Sequence, residues 1–298
     1  MKIIPDLTAT GMRRAQSGGL VPTDPAAPVA SGGTETVIAQ GGKFYRVHTF
    51  LSMGTLNVTG GPLAVEYLVL AGAGGGGSRN FRTGGGGAGG LLKFVAGEAG
   101  NTGAVPLVLS VGAHTITVGN GGTGGTASGA SQGQDGQPSS IAALLQALGG
   151  GGGGNTGNGR PGASGGGAAV SSSGVTGTPG AGTSPQGHGG GNSIGGDTSD
   201  HAGGGGGGAG GPGGNASPGT RGARGPGLAS AIDGTSTMRA RGGRGGDSNS
   251  NEILNGAANT GDGGDSSTGT GFTNAGNGGS GIVVLRYEIT EEEFNEAA

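Results

Sequence analysis

The sequence predicts a mostly β fold joined to polyproline II helix, with almost no α-helix. Three observations predict it. Glycine supplies 84 of 298 residues, about four times its ordinary usage of about 7%. The large apolar residues crowd into 36–118 and into Ile282–Ile289. The glycines come in short runs broken by Asn, Asp, Ser and Pro. The expected architecture is a small antiparallel sheet or sandwich, continuous with a layered bundle of glycine-rich polyproline II helices.

The elements follow in chain order. Residues 1–35 read as an extended arm, with Pro22, Pro25 and Pro28 among Ala, Thr and Val, a composition that favours polyproline II. It is either a disordered leader or an anchor that orders on a partner, and the anchor is favoured. Residues 36–118 read as the strand-rich domain. Lys43–Phe50 places aromatic and β-branched residues near period two, and Thr55–Thr59 alternates cleanly. Val65–Ala71 is nearly continuous apolar sequence, as in a central strand. Leu91–Ala96, Val105–Val111 and His114–Val118 add three more strands, and Gly112-Ala113 between the last two reads as a hairpin turn. Gly281–Tyr287, within a closing segment 279–289, reads as another central strand. It has no apolar neighbour in its own half of the chain, so its partners are expected among the early strands. At 290–298, Thr290 and Glu293 fit a capping box opening a short exposed helix.

Residues 119–278 pose the main physical question. No Phe, Tyr or Trp occurs between Gly119 and Gly271. Glycine loses the most conformational entropy on folding, which favours disorder. The alternative is a lattice of polyproline II helices, each with three residues per turn, a rise of about 3.1 Å and no internal hydrogen bonds. Its N–H and C=O groups point outward and need neighbouring helices or water. Runs such as Gly149–Gly154 and Gly203–Gly208 break the strict every-third-glycine rule of collagen. The lattice is favoured because the runs are punctuated by turn formers, which a flexible linker does not need. Passes of about 10 residues, about 30 Å long, are expected.

Composition excludes several function classes. The net charge is −3, so no global basic field exists to hold nucleic acid. Cysteine is absent, which removes disulfides and thiolate metal ligands. The N-terminus lacks the apolar core of a secretory signal, and no apolar run reaches the roughly 20 residues of a membrane span; a soluble protein without general secretion is expected. Matches to G-x-G-x-x-G carry no information at this glycine content and lack the helix and acid of the dinucleotide fingerprint. No nucleophile–base–acid set and no rigid pair of carboxylates can be named, so an enzyme is not expected. No cofactor is expected.

An ordered series of segments resembles a family of glycine-rich bacteriophage tail proteins. Val65–Gly72 looks like its opening strand entering a glycine run. Gly84–Leu92, then Thr115–Gly122, then Ser139–Leu148 with six following glycines, resemble successive elements. Gly225–Ser236 and the closing Gly279–Tyr287 complete the series, which covers roughly 43–287. Met238-Arg239-Ala240-Arg241 stands where the family often has an aromatic before a glycine run. The resemblance implies a virion protein of the tail, assembled in the host cytoplasm, and usually a tail fibre or its tip. It implies layered polyglycine helices whose loops touch a bacterial surface receptor, a glycan or an outer-membrane protein. Other tail or virion proteins would be partners through the arm at 1–35. Homo-oligomers, with trimers favoured, are common among such fibres.

Two groups of residues are candidates for receptor contact. Arg79, Asn80, Phe81 and Arg82 interrupt two glycine runs and place an aromatic between arginines, a typical recognition composition. Phe81 capping a small apolar patch is the competing reading. Arg221, Arg224, Arg239, Arg241 and Arg244 lie among glycines without the aromatics of RNA-binding tracts. They read either as solvated loop arginines or as contacts to an anionic bacterial surface. His188 and His201, near Asp197 and Asp200, read as exposed loop residues rather than metal ligands. Asp262 and Asp265 lack the period of calcium-binding glycine repeats.

Overall fold

The computed structural model describes residues 27–79, 82–129, 131–171, 173–195, 201–248, 252–267 and 273–297. Residues 1–26 of the expected arm lie outside the described residues. Within it, the molecule is mostly β with one short helix.

The early strands are β1 (Val29–Ser31), β2 (Thr34–Gln40), β3 (Lys43–Phe50), β4 (Gly54–Thr59) and β5 (Leu63–Leu70). There follow β6 (Leu91–Phe94), β7 (Leu107–Leu109) and β8 (Gly112–Thr117). The glycine-rich half contributes two small hairpins, β9 (Ser139–Ile141) with β10 (Leu145–Ala147), and β11 (Leu228–Ser230) with β12 (Thr237–Arg239). β13 (Ile282–Ile289) and α1 (Glu291–Ala297) close the chain. One sheet has the order β1-β4-β8-β9-β10 and the other β2-β3-β13-β5-β6, with β7 on β5.

β13 lies between β3 and β5, antiparallel to both. Its alternation then serves two cores. Val283, Leu285 and Tyr287 face the first sheet, packing with Leu56, Val58, Ile116 and Ile141. Ile282 and Val284 face the other way with Val47, Leu68, Leu70, Leu91 and Ile232. This explains the unbroken apolar run of β13, since a strand covered on both faces has no solvent side.

Sequence reasoning placed a hairpin at Gly112-Ala113, and the structure corrects it. β7 pairs with β5, whereas β8 pairs with β4 and β9. The two strands belong to different sheets. Gly112, at φ 128°, is the first residue of β8 rather than a turn centre. A second correction concerns the arm, whose last residues are strands β1 and the start of β2.

The glycine runs form threefold helices whose bonds all go sideways. The run Gly72–Ser78 shows the rule. Gly72, Gly75 and Ser78 donate to Gln137, Gln134 and Ser131; Ala73 and Gly76 donate to Gly279 and Gly276; Gly74 and Gly77 donate to Gly87 and Gly84. Its carbonyls accept from three other segments, through Gly122 and Gly125, Gly150 and Gly153, and Gly264 and Ser267. Every third residue reaches the same neighbour, as three residues per turn requires. One run is thus bonded to six segments around it. Gly203–Gly208 repeats the arrangement, donating to Gly246, Ala168 and Gly214 and accepting from Gly222, Gly85 and Gly191.

Glycine is compulsory here because backbones are in contact on all sides. A Cβ on Gly74 would sit 2.2 Å from the Gly151 carbonyl oxygen, and one on Gly86 would sit 2.1 Å from that of Gly74. The sheet and the lattice are one object. The β5–β6 register Leu70–Leu91 continues as Ala71–Gly90, Gly74–Gly87 and Gly77–Gly84. Passes are shorter than the ten residues expected, since Gly72–Ser78 spans seven, about 20 Å at 3.1 Å per residue.

Candidate functional site

The molecule has two unlike ends. At the sheet end, Val29 pairs with Thr59 and Pro28 lies against Gly61. The last strand also ends there, and Phe294 of α1 rests on Phe44 with ring centroids 4.7 Å apart. Thr290 caps that helix reciprocally, its N–H donating to Glu293 Oε2 at 2.8 Å and its Oγ1 accepting the Glu293 N–H at 3.2 Å.

At the other end one set of lattice connections meets, while others, such as 183–187, 208–211 and 257–260, turn back beside the sheets. Val170 N–H donates to the Arg82 carbonyl, Gly246 N–H to that of Thr83, and Gly203 N–H to that of Gly246. Arg79 N–H donates to Ser267 Oγ at 3.0 Å, and the Ser78 hydroxyl donates to the Thr273 carbonyl. The ends of at least five passes therefore meet around Ser78–Arg82. This loop end is the candidate site.

The family model for a glycine-rich domain matches residues 46–288, from β3 through the whole lattice to β13. The chain belongs to the glycine-rich domain family. No curated protein matches the chain.

Within the glycine-rich domain, the predicted site residues separate into two sets. Arg79 and Arg82 stand at the loop end, partly exposed, and Arg82 Nη1 reaches the Ser171 carbonyl at 3.5 Å. Asn80 and Phe81 lie outside the described residues. The second set is engaged with acids of the lattice. Arg241 Nη2 and Nε donate to Asp262 Oδ2 at 2.6 and 3.0 Å. Arg244 Nη2 and Nε donate to Asp265 Oδ2 at 2.6 and 2.9 Å, and Arg224 Nη2 reaches Asp265 Oδ1 at 3.4 Å. Arg221 is 3.9 Å from Asp247, and Arg239, itself buried, is 2.8 Å from Asp233. Arg221, Arg224, Arg239 and Arg241 therefore each have an acidic partner within the molecule. Their exposure differs, from 5% for the Arg239 side chain to 41% for that of Arg241.

Electrostatics agree with this pairing. Burial opposes the Arg244 charge, yet its hydrogen bonds to the Asp265 and Glu252 carboxylates outweigh it and raise its pKa. The bond to Arg244 holds Glu252 below the usual carboxylate range. Asp265 is completely buried, and its oxygens also accept the N–H groups of Arg244 and Leu254.

A signal for these pairs was present in the sequence. Arg221/Arg224, Arg241/Arg244/Asp247 and Asp262/Asp265 are each spaced by three. On a threefold helix that spacing puts every member on one face. His201 is a further correction, being buried rather than exposed, whereas His188 is exposed. Among the described residues no group of three or more His, Asp or Glu could hold a metal ion.

Proposed function

We propose that this glycine-rich domain protein is a structural virion protein of a bacteriophage tail, a fibre or fibre-tip adhesin that binds the bacterial surface. The observation that carries this reading is the polarity of the molecule. The first described strand, β1, lies at the sheet end, and one set of lattice connections meets around Ser78 and Arg82 at the far end of the Gly72–Ser78 run. Such a body suits an anchor at one end and a receptor, a glycan or an outer-membrane protein, at the other.

The mechanism is binding alone. The lattice holds short loops on a scaffold bonded on all sides, so little ordering entropy is lost on contact. Several copies per virion, as in a trimeric fibre, raise weak loop affinity through avidity. Arg79 and Arg82 are the candidate contacts that stand at the loop end. The test is adsorption of the purified, fluorescently labelled chain to a panel of bacterial strains. Binding to a strain, reduced at least severalfold by Arg79→Ala with Arg82→Ala, supports the reading. No binding to any phage-sensitive strain contradicts it.

The internal pairing of Arg221, Arg224, Arg239 and Arg241 favours a second reading, a virion decoration or fibre-shaft component without receptor contact. Removal of residues 1–26 separates the two. An adhesin so shortened still binds isolated cells while losing incorporation into virions.

A further inference from the structure

Asparagine plays a part in the lattice that its reputation as a turn former does not suggest. In several places an Asn and the residue after it grip one neighbouring helix at two points. Gly159 N–H donates to the Thr178 carbonyl, and Asn158 Oδ1 accepts the Thr178 N–H at 2.9 Å. Gly256 N–H donates to the Asn277 carbonyl, and Asn255 Oδ1 accepts the Asn277 N–H at 2.8 Å. Ala216 N–H and Asn215 Oδ1 treat Asn192 in the same way, the second at 2.8 Å. Gly278 and Ala275 donate to the carbonyls of Gly122 and Gly125, while Asn277 and Asn274 accept from Gly124 and Ala127, both at 2.8 Å.

The geometry explains why. A threefold helix in a lattice has three donor directions and three acceptor directions around it, as Gly72–Ser78 shows with six bonded segments. A helix at the rim lacks some neighbours, so a row of N–H groups points into an empty lattice position. An Asn on the next helix reaches round and puts its amide oxygen where the missing helix would have placed a carbonyl. Its distances of 2.8–2.9 Å match those of backbone bonds such as Gly74 to Gly87 at 2.9 Å.

An uncapped rim would be the lattice counterpart of an open sheet edge, which invites pairing with another chain. The complementary surface is present in every copy, because the inner runs already show how a glycine helix accepts such donors. We propose that Asn158, Asn215, Asn255, Asn274 and Asn277 close the lateral edges of the lattice against a second copy of this chain. Assembly of copies then runs through the sheet end or the loop end, not side by side.

The test is sedimentation of the full chain with Asn274→Gly and Asn277→Gly over a range of concentrations. The average mass of this variant rises with concentration above that of the parent. Asn274→Asp with Asn277→Asp keeps the accepting oxygens and follows the parent. A folded glycine variant with the parent's mass at every concentration overturns the proposal. Should that variant fail to fold, Asn158→Gly on another edge provides the reading through hydrogen exchange at the Thr178 amide. Exchange there is severalfold faster than in the parent at low concentration and slows as concentration rises. An unchanged or concentration-independent rate is the contrary result.

Discussion

The sheet end and the glycine lattice solve the same problem by opposite means. Both must satisfy every buried peptide group. In the sandwich, side chains do the packing, and Leu56, Leu285 and Ile116 are fully buried between two sheets. In the glycine runs, backbones pack on backbones, with hydrogen bonds in several lateral directions instead of two. The sandwich gains from removing apolar area from water, roughly 25 cal/mol per Å². The lattice has little apolar area to bury, and each bond adds a net of only about 0.5–1.5 kcal/mol. It must also offset the large conformational entropy of glycine. The difference teaches that a chain can build a solid interior without large residues, provided no donor is left without an acceptor.

The comparison is broken most severely by a single methyl group. Gly74→Ala puts a carbon 2.2 Å from the Gly151 oxygen, where no flexible side chain can yield. Overpacking in a core costs about 1–3 kcal/mol or more, and this variant is expected at or beyond the upper end in a denaturant melt. Gly157→Ala is the matched control. A Cβ there meets nothing within 4 Å, so its stability is unchanged or raised by about 0.4–1 kcal/mol. Equal losses in both variants would mean that the lattice is not packed this way.

A smaller effect is expected where charge substitutes for a missing helix. Asp265→Ala leaves the Arg244 and Leu254 N–H groups without their acceptor, removes the Arg224 pairing and leaves the Arg244 guanidinium with Glu252. Leaving buried donors unmet costs about 1–3 kcal/mol, read as a lower thermal midpoint. Asp265→Asn keeps the oxygen for Arg244 N–H and recovers part of the loss. At the sheet end, Thr290→Ala removes the reciprocal cap of α1 and costs about 1 kcal/mol locally, seen as faster amide exchange in Glu293 and Phe294.

The smallest effect is a pH dependence confined to the sheet end. His48 is fully buried, with Nδ1 2.8 Å from the Gly32 carbonyl and Nε2 without a partner among the described residues. Burial lowers its pKa, against the pull of the Gly32 bond and Glu35. The unfolded chain therefore takes up the proton first. The His48 contribution to stability is complete above about pH 6.5 and declines as pH falls from there towards its lowered folded pKa. In His48→Asn that part of the acid slope disappears from the thermal midpoint. A slope unchanged by this substitution would assign it to other groups.

Much of the sheet end was legible because strand periodicity is written in large residues. Lys43–Phe50, Val65–Ala71 and Ile282–Tyr287 announce themselves, and the solitary apolar run at the C-terminus had to seek partners early in the chain. The hairpin at Gly112-Ala113 misled because a glycine between two strands also fits a crossover between sheets. The glycine lattice was legible in kind but not in wiring. Glycine runs are alike, so nothing in Gly84–Gly90 names Gly151 or Gly264 as its neighbour. The candidate site was legible only where a residue stands at a run's end, as Arg79 and Arg82 do. Arg241 and Arg244 looked free because their partners Asp262 and Asp265 lie 21 residues away. Only the spacing of three, read with the helix geometry in mind, connects them.

The most direct test of the lattice is residue-resolved amide hydrogen exchange on the full chain at neutral pH. Gly74, Gly77, Gly86 and Gly206 are bonded laterally within a closed network. Their exchange is expected to be as slow as that of Val284 and Leu285 in the central strand, and to be lost together with it in a single unfolding step. Exchange of these glycines at the rate of an unfolded chain, while β13 stays protected, would contradict the account.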